Sequence, residues 1–262
     1  MKIQNIAHRG IWDENVPQNS LKAFRRAWES GATWVETDFH RTKAGQMVCI
    51  HVEAELRMYT GCGKAIADLT PDDLDTLRLV PPGKSPPPGE SGERIPLLDE
   101  VLATVPPHGT LQAEIKGYAP DYPDLFDAAV RSAGLTERNI VVSSFQADAL
   151  ADFHRRLPAY RTLLLASPPK GVPFDAPAWI AKCRDGGFDE FCPGCGTWGG
   201  QPLTPADAEA VRSAGIGFRL WGVNSPEALR YARDLGASGF TCNFWRRAFD
   251  WARDIGGIEL LP

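Results

Sequence analysis

The feature that most constrains the fold is the rhythm of the chain after residue 110, where short apolar runs alternate with segments of helical apolar spacing. Strands are expected at 111–117, 140–145, 160–166, 188–192, 217–224 and 239–243, with helices between them at 121–133, 147–156, about 176–185, 205–213 and 226–235. Apolar strands each followed by a helix specify a parallel sheet with helices outside it. Before residue 110 the rhythm is looser. A strand over 3–10 leads to a helix with apolar positions 21, 24, 27 and 28, which Ser20 caps and Gly31 ends. Further strands are read at 34–40 and 47–53.

These make nine strand candidates, so one of them must be a hairpin arm or lie outside an eight-stranded ring. Residues 54–95 lose the periodicity and carry the runs Pro81-Pro82-Gly83 and Pro86-Pro87-Pro88-Gly89, with a short helix opened at Thr70-Pro71-Asp72-Asp73. The expectation is one domain over 1–262: an α/β chain folded as a (β/α)8 TIM barrel, with a small irregular insertion at about 54–95 after the third strand. The barrel is preferred to an open doubly wound sheet because polar groups fall at the C-terminal ends of many strands, where a barrel gathers its site.

The stretch Trp34-Val35-Glu36-Thr37-Asp38-Phe39-His40 carries the chemistry. With a period of two, Glu36 and Asp38 share one face. Two adjacent inward carboxylates repel and are costly to bury unless a cation lies beside them, most simply a metal ion. Other strand ends add His8 and Arg9, His51 and Glu53 on the 47–53 strand, and Glu114 with Lys116. Three carboxylates suit one hard divalent cation, Mg2+ or Ca2+. Two histidines suit general base and acid, and an arginine and a lysine suit a phosphate. His40, His108 and His154 have no comparable setting and are left without a role.

A net charge of -5 disfavours a nucleic-acid partner. No apolar run reaches the roughly 18 residues of a membrane span, and the N-terminus lacks the apolar stretch of a signal peptide. A cytoplasmic location is expected, with a small-molecule phosphodiester as partner. The oligomeric state is not encoded legibly. Six scattered cysteines do not make a disulfide framework, and Cys192-Pro193-Gly194-Cys195 is read as a coincidental loop pair.

Several short pieces, in order, resemble the glycerophosphodiester phosphodiesterase family of phospholipase-C-like barrels. They are Ala7-His8-Arg9-Gly10, Pro17-Gln18-Asn19-Ser20, Glu36-Thr37-Asp38, Ile50-His51, Glu114-Ile115-Lys116, Ser143-Ser144-Phe145 and Trp221-Gly222-Val223-Asn224. The resemblance implies Glu36, Asp38 and Glu114 as metal ligands and His8 and His51 as the acid/base pair. It also implies Arg9 and Lys116 as phosphate contacts, and Phe145 and Trp221 as walls of the substrate pocket. The implied reaction cleaves glycerophosphodiesters to glycerol phosphate and an alcohol, by attack of a substrate hydroxyl and opening of the resulting cyclic phosphate. A lyase that stops at the cyclic phosphate and a non-catalytic binding barrel are the alternatives. This chain departs from the family pattern in four places. Gln18 replaces a glutamate, Val52 an aspartate, Met58-Tyr59 two threonines, and Cys242 an aspartate.

Overall fold

The structure, a computed structural model, describes residues 1–85, 92–167 and 171–262. The Pro86-Pro87-Pro88-Gly89 run lies outside the described residues. The fold is the expected (β/α)8 TIM barrel, and the chain divides into two compact units, Arg9–Ile140 and Met1–His8 with Val141–Pro262.

The first strand, β1 (Lys2–His8), belongs to the second of these units. In the unit from Arg9, α1 (Leu21–Glu29) begins where Ser20 Oγ accepts from Ala23 N, and it buries Ala23, Phe24 and Ala27. Then come β2 (Trp34–Arg41) and β3 (Met47–Cys49). The helices α2 (Glu53–Thr60), α3 (Pro71–Thr76) and α4 (Leu98–Leu102) precede β4 (Thr110–Gly117), and α5 (Tyr122–Ser132) follows it. β2 and β4 are parallel, with Glu36 opposite Gln112 and Asp38 opposite Glu114. Val35 and Phe39 on the other face of β2 are also fully buried, as expected for a strand covered on both sides.

The ninth strand candidate is identified here. β3 runs antiparallel to β2 as the arm of a hairpin, outside the parallel eight. It is also shorter than the expected 47–53 strand. It ends at Cys49, His51 lies in a bend, and Glu53 begins α2. His51 and Glu53 therefore do not share a strand face. The apolar positions decide this: Val48 and Ile50 pack with Leu56, Ile66, Leu69, Leu74, Leu79 and Ile95 in a separate cluster, which α2 can enter only by turning off the strand line. Among the described residues, the expected irregular insertion thus contains the α-helices α2 and α3, a short 3-10 helix at Ile66–Asp68 and a small core of its own.

In the other unit, β5 (Ile140–Ser144), α6 (Ala147–Arg156), β6 (Arg161–Ala166), α7 (Ala176–Gly186) and β7 (Glu190–Pro193) keep the expected alternation. A hairpin of β8 (Thr197–Trp198) and β9 (Gln201–Pro202) leads to α8 (Pro205–Ser213) and β10 (Gly217–Phe218). The 217–224 strand is regular only over its first two residues. Beyond Phe218, Arg219 N and Trp221 N still bond to Phe191 O and Pro193 O, while Leu220 N turns to Gly239 O. α9 (Pro226–Asp234), β11 (Gly239–Cys242), α10 (Trp245–Ile255) and β12 (Glu259–Leu261) complete the chain. β1 pairs in parallel with β11 and β12, and β5, β6, β7 and β10 pair in succession. Among the described residues, no helix is long and apolar enough to cross a membrane.

Candidate active site

The turn after β1 determines where the first basic group goes. Arg9 and Gly10 both adopt left-handed backbone, with φ 61° and 79°. A Cβ on Gly10 would lie 2.6 Å from the carbonyl carbon of Ala23, so only glycine fits there. Arg9 N donates to Glu36 O at 2.9 Å and Asn19 N to Arg9 O at 3.1 Å, which ties the turn to β2 and to the start of α1. The Arg9 guanidinium then reaches Asp38, with Nε 3.0 Å from Oδ2.

Glu36, Asp38 and Glu114 are buried, and one carboxylate oxygen from each lies within 4.8 Å of the others. Lys116 Nζ bridges two of them, 3.2 Å from Asp38 Oδ1 and 2.5 Å from Glu114 Oε1. The β2–β4 register shifts after Phe39, so His40 pairs with Gly117 and Lys116 is the extra residue on β4. Such a shift re-aims a side chain next to a site. Asn19, also left-handed at φ 55°, donates from Nδ2 to Asp38 Oδ2 at 2.9 Å and accepts from Thr37 Oγ1 at 3.0 Å.

The electrostatics divide the three acids. Burial pushes the Asp38 carboxyl up, but Arg9, Lys116 and the Asn19 hydrogen bond outweigh it and hold Asp38 well below the usual range. Burial, then repulsion from Asp38, raises Glu36 despite Arg9. The same two causes, against Lys116, push Glu114 up to about 7. Two basic side chains thus face three buried carboxyl groups. Three hard oxygen donors that close together could hold one divalent ion at the roughly 2.0–2.6 Å typical of magnesium and calcium.

His51 is joined to this cluster through a residue that the sequence reading passed over. Its Nδ1 lies 2.9 Å from Glu55 Oε1, and the same oxygen lies 3.1 Å from Arg9 Nη1. His40, left without a role from sequence, sits with Nε2 3.0 Å from the His51 carbonyl oxygen. Burial lowers its pKa, and Nε2 donates to that carbonyl. Six expected site residues, Arg9, Glu36, Asp38, His51, Glu114 and Lys116, are therefore linked within the Arg9–Ile140 unit.

His8, Phe145 and Trp221 belong to the other unit. His8 ends β1, its Nδ1 2.5 Å from Asn243 Oδ1. Phe145 is 41% exposed, enough to offer its ring to a ligand, and it meets Trp221 edge-on with ring centres 5.7 Å apart. Trp221 Nε1 donates to Ala166 O at 2.9 Å, and its ring fills the place a Cβ on Gly194 would need. That explains the glycine in Cys192-Pro193-Gly194-Cys195. Both cysteines are free thiols, and burial pushes Cys195 up to about 11, which suits neither a reactive thiolate nor a redox pair.

Fold and donor set together define a class: TIM barrels with a buried acidic cluster that could hold a divalent ion. Residues 8–246 match the glycerophosphoryl diester phosphodiesterase family, and the chain belongs to that family of phosphoric diester hydrolases. It is 35% identical over 169 residues to the glycerophosphodiester phosphodiesterase of Caldanaerobacter subterraneus subsp. tengcongensis, covering 63% of this chain and 67% of that protein. An Oleispira antarctica phosphodiesterase solved with the product sn-glycerol-3-phosphate is similar in fold at TM-score 0.79 and 17% identity, covering 95% of this chain and 96% of that one. A glycerophosphodiester phosphodiesterase from Parabacteroides distasonis gives TM-score 0.72 at 22% identity, covering 95% of each chain. The chain is accordingly a phosphodiesterase of the kind that hydrolyses glycerophosphodiesters.

Proposed function

We propose that the chain, as a single TIM-barrel domain with an insertion at about 54–95, hydrolyses glycerophosphodiesters with one divalent cation held by Glu36, Asp38 and Glu114. The observation that carries this reading is the buried carboxylate triad with Arg9 and Lys116 against it. Mg2+ or Ca2+ would supply charge neutralisation at the phosphoryl oxygens. Arg9 and Lys116 bind the phosphate, Arg9 through the fork geometry that suits oxyanions. His8 and His51 move the protons, one taken from the attacking hydroxyl and one given to the leaving alcohol. Phe145 and Trp221 form an apolar wall for the alcohol group. This assignment is supported by family membership and by the product complex of the Oleispira antarctica relative. A cytoplasmic setting belongs to the same proposal and draws on the six free thiols, which suit a reducing compartment.

The test is release of glycerol phosphate from a panel of glycerophosphodiesters. EDTA is expected to abolish it, Mg2+ or Ca2+ to restore it, and His51→Ala to lower kcat at least a hundredfold, within the roughly 10²–10⁴ of a positioned acid–base group. Full activity in His51→Ala would overturn the proton-transfer role. Phosphorus NMR showing a cyclic ester that never opens would reassign the reaction to a lyase.

A further inference from the structure

Glu55 lies four residues beyond His51 in the first turn of α2, with its side chain 12% exposed. It stands two residues after Glu53, the residue that strand alternation would have placed beside His51. Its carboxylate oxygen Oε1 has two neighbours: His51 Nδ1 at 2.9 Å and Arg9 Nη1 at 3.1 Å. A carboxylate only accepts, so the proton of that hydrogen bond belongs to Nδ1 and neutral His51 is the Nδ1–H tautomer. Nε2 is then the nitrogen that takes up and returns a proton. The second anchor is the His51 backbone, whose carbonyl oxygen accepts from His40 Nε2.

The same pair of contacts accounts for a local peculiarity of the chain. Gln18 Oε1 is also 3.1 Å from Arg9 Nη1, so two side-chain oxygens share one guanidinium nitrogen, and only Glu55 brings charge. Where the family pattern has a glutamate, this chain has Gln18; in the first turn of α2 it has Glu55.

We propose that Glu55 is the positioning residue of this site. It fixes the tautomer of His51 and holds the Arg9 guanidinium, supplying from α2 the carboxylate that Gln18 lacks. The inference rests on the phosphodiesterase reading of the site. When His51 takes a proton at Nε2, the Nδ1 proton stays where it is and the imidazolium charge faces Glu55. When His51 gives that proton up again, the original tautomer returns, so no proton is gained or lost over the cycle.

The experiment compares wild type, Glu55→Gln and the double variant Gln18→Glu/Glu55→Gln on the glycerophosphodiester panel with Mg2+ or Ca2+. Circular dichroism confirms the fold of each. Glu55→Gln is expected to lower kcat about tenfold to a hundredfold, part of the roughly 10²–10⁴ supplied by a positioned acid–base group, and to raise KM. The double variant returns a carboxylate to Arg9, so KM recovers while kcat stays low, a split that a structural role alone would not produce. Imidazole nitrogen NMR of histidine-labelled wild type gives a second readout that needs no Glu55 variant. The His51 signals should be those of the Nδ1–H tautomer, and the Nε2–H tautomer would overturn the inference. So would wild-type kcat in Glu55→Gln beside an active wild type. A wild type inactive on the whole panel would instead overturn the phosphodiesterase reading and this inference with it.

Discussion

Removing the charge of Glu114 should remove a fall in stability with pH from the metal-free protein. Glu114 is 6% exposed, and burial with repulsion from Asp38 raises its carboxyl from 4.5 to about 7 despite Lys116. An acid whose folded pKa is raised stabilises the fold fully below its unfolded value and loses that contribution as pH rises through the folded one. The window therefore runs from about pH 4.5 to about pH 7. At about 1.4 kcal/mol per pKa unit the shift is worth about 3 kcal/mol, or roughly 6–12 °C of melting temperature for a chain of this size. Thermal unfolding in EDTA should show wild-type Tm falling across that window relative to Glu114→Gln, which lacks the titrating group. Saturating Mg2+ or Ca2+ should cancel the decline in wild type, because the ion takes the deprotonated carboxylates and adds about 2.7 kcal/mol at a hundred times Kd. Equal pH slopes for wild type and Glu114→Gln in EDTA would refute the reasoning.

Two other changes test the frame that holds the site. Gly10→Ala puts a side chain on left-handed backbone and a Cβ 2.6 Å from the Ala23 backbone, so it should cost at least about 2 kcal/mol in urea unfolding; wild-type stability would mean the turn shifts freely. In the other unit, Arg219 and Glu190 are 4% and 7% exposed and paired, with Nη2 to Oε1 at 2.7 Å. Arg219→Leu leaves the carboxylate buried beside the more distant Arg161 and should cost about 3–5 kcal/mol, most of it recovered in Glu190→Leu/Arg219→Leu. A double variant no more stable than the single one would show that packing, not the uncompensated charge, sets the loss.

Local chemistry made much of this legible. The helices over 147–156 and 205–213 begin and end where the sequence places them, and Thr204 closes a capping box with Asp207 at the start of the second. The alternation of β2 put Glu36 and Asp38 on one face because both faces of that strand are buried and a slip would exchange them. What escaped was tertiary. Cys49 as a strand end, and hence Glu55 beside His51, depends on the cluster that draws Leu56 inward, and no local period announces that. Asn19 was visible only as one letter of a short box, since its left-handed backbone is not encoded by a pattern. α10 did have a signal, with Trp245, Ala248 and Ala252 buried at helical spacing after the last expected strand.

The register of β2 against β4 links fold to chemistry. Asp38 stands opposite Glu114, which is intolerable for two buried carboxylates unless cations are delivered to the same place. Arg9 arrives because a glycine lets the β1 turn close against α1, and Lys116 is placed by the register shift after Phe39. Each device has a local cost: left-handed backbone at a non-glycine residue, a broken ladder, a buried ammonium. The cations hold Asp38 charged against burial, while burial and repulsion from Asp38 still raise Glu36 and Glu114. Two basic side chains brought by separate distortions to three buried acids are what the proposed ion and phosphate would meet.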